Sequence, residues 1–387
     1  MKGNEMISSR DRLLSALNHQ EADRVPIDLG GTGLTTIHVT AYRNLRNHLG
    51  LPPVDARIGQ LAEQLVVVDE DLADALKVDV RPVRPGAASG HQLSFFQDGR
   101  YTAYYDEWGI GWRMPRENGF YYDMFHHPLA DADSLEEFKT YPFPDPLDPG
   151  RLAPLRRRAE AAARTGRAVA LAGPSAGIAE VYSWLRGYEQ YYMDLALNPD
   201  FVTFMLDRLV EFKSAFWERA LTGVGDLVDV VVEADDLGGQ QAPLISPRTY
   251  RKLIKPRHQR LYSFIKAQAP VKLFYHTCGA VRRLIPDLIE VGVDILNPVQ
   301  ISAAGMDLVQ LKQEFGRDLV FWGGGVDTQW MLGNGTPDQI REHVKQNIDA
   351  LAPGGGFVFA AVHDIQADVP PENIMATWEA WRDFGAY

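Results

Sequence analysis

VKLFYHTCGAVRRLIPDLIEVGVDILNPVQ, residues 271–300, holds the pattern that decides the fold. An apolar run, 271–275, ends in polar residues and glycine. The stretch that follows places Val281, Leu284, Ile285, Leu288 and Ile289 on one helical face. A second apolar run, 293–296, then ends at Asn297. Strand, helix and strand in close succession predict two parallel strands joined by a crossover helix. The same stretch carries the chain's one cysteine, Cys278, two residues after His276.

The unit recurs on both sides. Apolar or β-branched runs ending in glycine or polar residues occupy 24–31, 168–175, 226–236, 293–300, 318–327 and 356–364, with 76–83 a weaker eighth candidate. Helix boundaries separate them. Ser8 and Ser9 precede an amphipathic stretch, Ser246–Pro247 combines a cap with proline at the first helical position, and Thr336 with Gln339 forms a capping box. About eight strand–helix units in 387 residues predict an α/β fold of the (β/α)8 barrel type. No G-x-G-x-x-G follows an early strand, which disfavours dinucleotide binding. Residues 93–128, rich in aromatics, glycine and turn signals, break the rhythm and predict two or three antiparallel strands inserted near a barrel end. The expectation is a single domain over 1–387 carrying this β-rich insert.

The formal charge of −12 speaks against non-specific nucleic-acid binding, which needs a basic surface. A lone cysteine excludes an intrachain disulfide. The charged N-terminal stretch, 1–20, lacks the apolar segment of a secretory leader, and no run of 18 apolar residues predicts a membrane span. Cytoplasm is the expected compartment.

In a parallel barrel the strands' C-terminal ends meet around one axis and carry the site. Glu233, Asp235 and Asp236 follow one run, His276 and Cys278 another, Asn297 and Gln300 a third, Asp327 a fourth, and His363 with Asp364 a fifth. His276 and Cys278, at i and i+2, share a face of an extended strand. Imidazole and thiolate suit zinc, and three protein ligands leave a fourth position open. With His363 they form the expected metal set. The competing reading makes Cys278 a small buried hydrophobe and His276 a hydrogen-bonded core residue. Glu233, Asp235 and Asp236 are expected catalytic or further metal-binding groups, or else loop acids that cap a helix or pair with arginine. Trp184, Gln241, Tyr275, Asn297 and Asp327 are expected substrate contacts. Most of the aromatics are expected in packing.

On these positions the chain resembles the uroporphyrinogen decarboxylase superfamily, most closely its corrinoid-dependent methyltransferase branch. The resemblance rests on EADDLGGQQAPLISPRTYRKLIKPRHQRL, FYHTCGAV, FWGGGVDTQWMLGNGTPDQIREHV and HDIQADVPPENI. It implies a (β/α)8 barrel and methyl transfer between a small methylated substrate and a corrinoid or thiol acceptor. Zinc would sit on His276 and Cys278, and a corrinoid such as cobalamin would be free or on a separate corrinoid-binding protein. A homodimer is an admissible assembly. Two departures stand out. His363 occupies the position where that branch has a late cysteine. The segment DLGGTGLTTIHVTAYRNL lacks the arginines with which true decarboxylases pair porphyrinogen carboxylates. The alternative is a metal-independent decarboxylase for a small carboxylate, with Arg10, Arg12 or Arg24 facing the pocket.

Overall fold

The computed structural model describes residues 7–387. Residues 1–6, part of the charged N-terminal stretch read above, lie outside the described residues. Among the described residues the strands, in chain order, are β1 (Ile58–Gln60), β2 (Leu65–Val66), β3 (Val80–Val83), β4 (Phe96–Asp98), β5 (Tyr101–Tyr105), β6 (Gly111–Pro115), β7 (Asp123–His126), β8 (Ala168–Ala172), β9 (Val230–Ala234), β10 (Lys272–His276), β11 (Ile295–Asn297), β12 (Val320–Trp322) and β13 (Phe357–Val358).

Seven of them form a curled parallel sheet in the order β13-β12-β11-β10-β9-β8-β3. Each is one of the runs singled out in the sequence, and 76–83, the weakest of these, supplies a full strand. The run 24–31 behaves differently. Ile27 makes an isolated parallel bridge to Phe359, because Pro26 has no N–H to extend the ladder. Its backbone still reaches both edges of the sheet. Asp28 N donates to Phe359 O at 2.8 Å, and Asp79 N donates to Ile27 O at 2.9 Å.

Strand alternation sorts the core. Val80, Ala168, Ala170, Val230, Val232, Phe274, Ile295, Val320 and Trp322 form one apolar cluster on the inner face, joined by Leu13, Ala16 and Leu17 of the helix Ser9–Leu17. Val169, Leu171, Val231, Leu273, Tyr275 and Phe321 point the other way, into the larger layer beneath the helices. At about 25 cal/mol per Å², each large side chain so buried contributes roughly 2 kcal/mol. The helix Ser9–Leu17 covers the end where the strands begin. Around it Arg10 pairs with Asp229 at 2.9 Å, while Arg12 and Arg24 reach the fully buried Asp79 at 2.8 and 2.7 Å. Asp79 and Asp229 immediately precede strands β3 and β9. The three arginines offered for a carboxylate pocket are therefore committed at the opposite end of the sheet.

The cap signals form the expected bonds. Ser8 Oγ accepts from Asp11 N at 3.1 Å, Ser246 Oγ accepts from Thr249 N at 3.0 Å, and Thr336 with Gln339 closes a capping box. The insert holds one strand more than expected. β4, β5, β6 and β7 make a four-stranded antiparallel sheet between Phe96 and His126. Among the described residues, no helix is long and apolar enough to cross a membrane.

Candidate metal and substrate site

A cavity of about 720 Å³ opens at the C-terminal ends of the parallel strands, a size suited to a small organic ligand. His276 ends β10 and faces inward, one position out of phase with Tyr275. Its Nδ1 lies 2.6 Å from Oδ1 of Asn297, whose Nδ2 donates to Trp322 O at 2.8 Å. That second bond fixes which way the amide points. Nδ1 of His276 must then donate, which leaves the Nε2 lone pair free.

Nε2 faces two other groups. Sγ of Cys278 is 3.4 Å away, and the rings of His276 and His363 sit 5.3 Å apart at 72°. The three ligand atoms of His276, Cys278 and His363 all lie within 4.8 Å of one another. Zinc–nitrogen and zinc–sulfur bonds of roughly 2.0 and 2.3 Å at tetrahedral angles separate such atoms by about 3.3–3.6 Å. The set thus fits a zinc ion after small side-chain rotations. Asn297 supplies the outer hydrogen bond that zinc-binding imidazoles need to hold tautomer and orientation.

Electrostatics agree with a cation here. Burial pushes the His276 imidazole down to about 4 against the pull of Asp236, keeping it neutral and able to ligate. Burial, followed by Asp236, pushes the Cys278 thiol well up, so a thiolate needs a positive partner. Asp236 lies alongside: Oδ1 accepts from Cys278 N at 2.8 Å and stands 3.9 Å from His276 Nε2. Glycine makes this approach possible. A Cβ at Gly279 (φ +87°) would fall 2.3 Å from Gly238 O, so the loops after β9 and β10 pack only because Gly279 has none.

The three acids after β9 separate. Asp236 is the one left open, with 42% of its side chain exposed. Glu233 touches the cavity wall, yet its carboxylate is held by Lys213 Nζ at 2.7 Å and by Trp217 Nε1 at 2.6 Å, both on the helix Pro199–Val224. Burial pushes it up, opposed first by Lys213. Asp235 is fully buried away from the cavity. It accepts from Glu180 N at 2.7 Å and sits 2.7 Å from His258 Nε2, whose Nδ1 meets Tyr250 Oη at 3.1 Å.

Of the expected substrate contacts, Trp184 lines the cavity, its ring edge-on to Trp112 at 5.7 Å. Asn297 positions His276. Tyr275 is wholly buried against His258 and Tyr262. Gln241 is exposed in the loop after β9. Asp327 caps the next turn by accepting from the backbone N–H groups of Trp330 and Met331 at 2.9 and 3.0 Å. The structure does not bring Tyr275, Gln241 or Asp327 to the cavity. Other lining residues went unread in the sequence, among them Gln60, Arg84, His91 and Glu180. Glu180 is pushed well up by burial, then by Asp236 and Asp235. Its position in the first helical turn after the LAGPSAG strand end was the available signal.

A family model described as uroporphyrinogen decarboxylase (URO-D) matches residues 106–384. No curated protein sequence matches the chain. Among solved structures, the chain is similar to a methyltransferase from Methanosarcina mazei, with 18% identity, a TM-score of 0.67, and coverage of 98% of this chain and 99% of that one. An L-ribulose 3-epimerase gives a TM-score of 0.37 at 12% identity, over 62% of this chain and 75% of that one. A 3-keto-D-glucoside 4-epimerase from E. coli gives 0.34 at 14%, over 60% and 84%.

Proposed function

Since the chain belongs to the uroporphyrinogen decarboxylase family, we propose that it is a zinc-assisted methyltransferase or demethylase acting on a small methylated substrate, with a corrinoid or thiol as the other methyl carrier. The observation that carries this reading is the His276–Cys278–His363 cluster, with the His276 tautomer set by Asn297. Zinc, when bound, would supply Lewis acidity, stabilising a thiolate or polarising the methylated heteroatom. The similarity in fold to a protein named as a methyltransferase supports the same reading.

The chain's own groups have distinct parts in it. His276 presents a neutral Nε2 at the cavity floor. Asp236, the most open of the nearby acids, holds the Cys278 backbone and is the candidate to approach the metal or to take a proton from the substrate. Glu180, whose carboxyl is pushed well up by burial and then by Asp236 and Asp235, stands at the cavity wall as the candidate to donate a proton or a hydrogen bond to a leaving heteroatom. Trp184 closes the cavity side. Glu233 and Asp235 act through the scaffold, tying β9 to the helices behind it.

We read the hydrogen bonds of 26–28 to both sheet edges as the eighth position of a closed (β/α)8 barrel, and 1–387 as one domain with the β4–β7 sheet inserted. A separate corrinoid-binding protein, or free cobalamin, and a homodimeric assembly complete the proposal. A cytoplasmic location is part of the same proposal. Arg10, Arg12 and Arg24, the arginines named for the metal-independent decarboxylase alternative, lie at the other end of the strands from the cavity. The test is turnover: purified protein loaded with zinc is mixed with cob(I)alamin and small methylated donors, and methylcobalamin is followed by absorbance. Formation that depends on the protein supports the reading. No turnover in either direction, with methylcobalamin and a thiol as the reverse pair, counts against it.

A further inference from the structure

Five buried side-chain polar atoms lack a hydrogen-bond partner among the described residues, and three of them belong to residues lining one cavity: Gln60 Oε1, Arg84 Nε and His91 Nε2. A buried donor or acceptor left unpaired costs about 1–3 kcal/mol, so such atoms are rare and call for a partner. Three on residues lining one cavity point to that cavity as the place where a ligand's polar atoms complete the bonding.

Arg84 is the centre of this group. It directly follows β3. Arg84 is half-buried, and the buried arginines are all paired: Arg12 with Asp79, Arg46 with Asp71, Arg81 with Glu70, Arg151 with Glu107, Arg167 with Asp74 and Arg186 with Asp194. No carboxylate reaches ion-pair distance of Arg84 among the described residues. Asp364 and Glu63 act on it only from further off, and Arg57 adds a second positive charge nearby. Two glycines leave room for its guanidinium. A Cβ at Gly59 would fall 2.7 Å from Nη1, and one at Gly33 would fall 3.1 Å from Nη2 and 2.3 Å from Oε1 of Gln60. The fork and the amide therefore meet at one point.

We propose that Arg84 binds the carboxylate of a monoanionic substrate whose methylated end lies toward His276, with Gln60 beside it and His91 elsewhere on the cavity lining. The planar fork of arginine matches a carboxylate in two parallel bonds. The same cavity also holds Glu63, Glu180, Asp236 and Asp364, whose negative charge disfavours a dianion such as a phosphate monoester. Gln60 Oε1 is an acceptor and matches a hydroxyl beside the carboxylate. The proposal rests on the methyl-transfer reading for the substrate's other end, while the anion site stands on Arg84 itself.

The test titrates wild-type protein with 2-hydroxy-3-methoxypropanoate and with its primary amide, by ligand-observed NMR. Zinc is assayed in the same samples. The carboxylate is expected to bind at least tenfold more tightly than the amide. Arg84→Gln should abolish that preference with zinc content unchanged, and Arg84→Lys should keep part of it. No preference in the wild type, a comparison that needs no variant, overturns the proposal, as does a preference retained in Arg84→Gln. If the preference appears and depends on Arg84 while zinc is absent, the anion site stands and the metal reading fails. If zinc is present and the preference is missing, the anion site alone fails.

Discussion

Asn297 accepts the Nδ1–H of His276 at 2.6 Å and thereby turns the other ring nitrogen toward Cys278, 3.4 Å away. The orienting group and the candidate ligand come from adjacent strands in register, His276 opposite Asn297. Replacing Asn297 with alanine frees the ring and leaves Trp322 O without its donor. Zinc affinity should fall about 10–100-fold while the His276 side chain remains present. Competition against a chromophoric chelator reads this directly. An unchanged affinity means that Asn297 has no part in orienting the ligand.

The acids after β9 should divide by stability. Lys213→Met leaves the Glu233 carboxylate buried without its counter-ion, at an expected cost of about 3–5 kcal/mol, and Lys213→Met with Glu233→Gln should recover much of it. Asp235→Ala should also destabilise, by stranding His258. Asp236→Asn, on a side chain 42% exposed and without a buried counter-ion, should leave stability within about 0.5 kcal/mol of wild type and lower methyl transfer at least tenfold. Urea denaturation beside turnover separates the two classes. Equal activity losses from all three acids without loss of stability contradict the division.

Asp28 sets a pH dependence. Its carboxyl accepts from Gly31 N, Thr35 Oγ1 and Trp322 Nε1 at 2.7, 2.7 and 2.9 Å, yet complete burial pushes it up to about 6. The folded state therefore holds a proton more tightly than the unfolded chain, whose value is 3.8. The associated stability is full below that value and is lost as pH rises through about 6, by about 3 kcal/mol in all. Glu180, Glu233 and Asp364, also pushed up by burial, act with the same sign. Denaturation midpoints between pH 4 and 7 should fall less in Asp28→Asn than in wild type. Parallel curves contradict the assignment to Asp28.

Much of this was legible in the chain. Runs ending in polar residues marked every strand of the parallel sheet, and the caps at Ser8, Ser246 and Thr336 fell where their hydrogen bonds form. His276, Cys278 and His363 could be grouped because parallel strands bring their ends together. Two-residue alternation also held a signal that went unused. With Val232 inward, Val231 and Glu233 point at the helices, and with His276 inward, so does Tyr275. Which acid stays free could not be read. The partners that take Glu233 and Asp235 are Lys213 and His258, on helices whose rotation depends on packing. Arg84 was hidden for the opposite reason: its distinction is a missing partner, which only the arrangement of all the other charges reveals.

The metal centre itself is tested most directly by zinc stoichiometry. Protein purified from zinc-replete medium, or refilled after chelation, is measured by elemental analysis beside His276→Ala, Cys278→Ser and His363→Ala, with circular dichroism confirming that each is folded. One zinc per wild-type chain, lost or weakened at least tenfold in each folded variant, is expected. A metal-replete wild type without stoichiometric zinc, or variants that hold it as tightly, contradicts the centre.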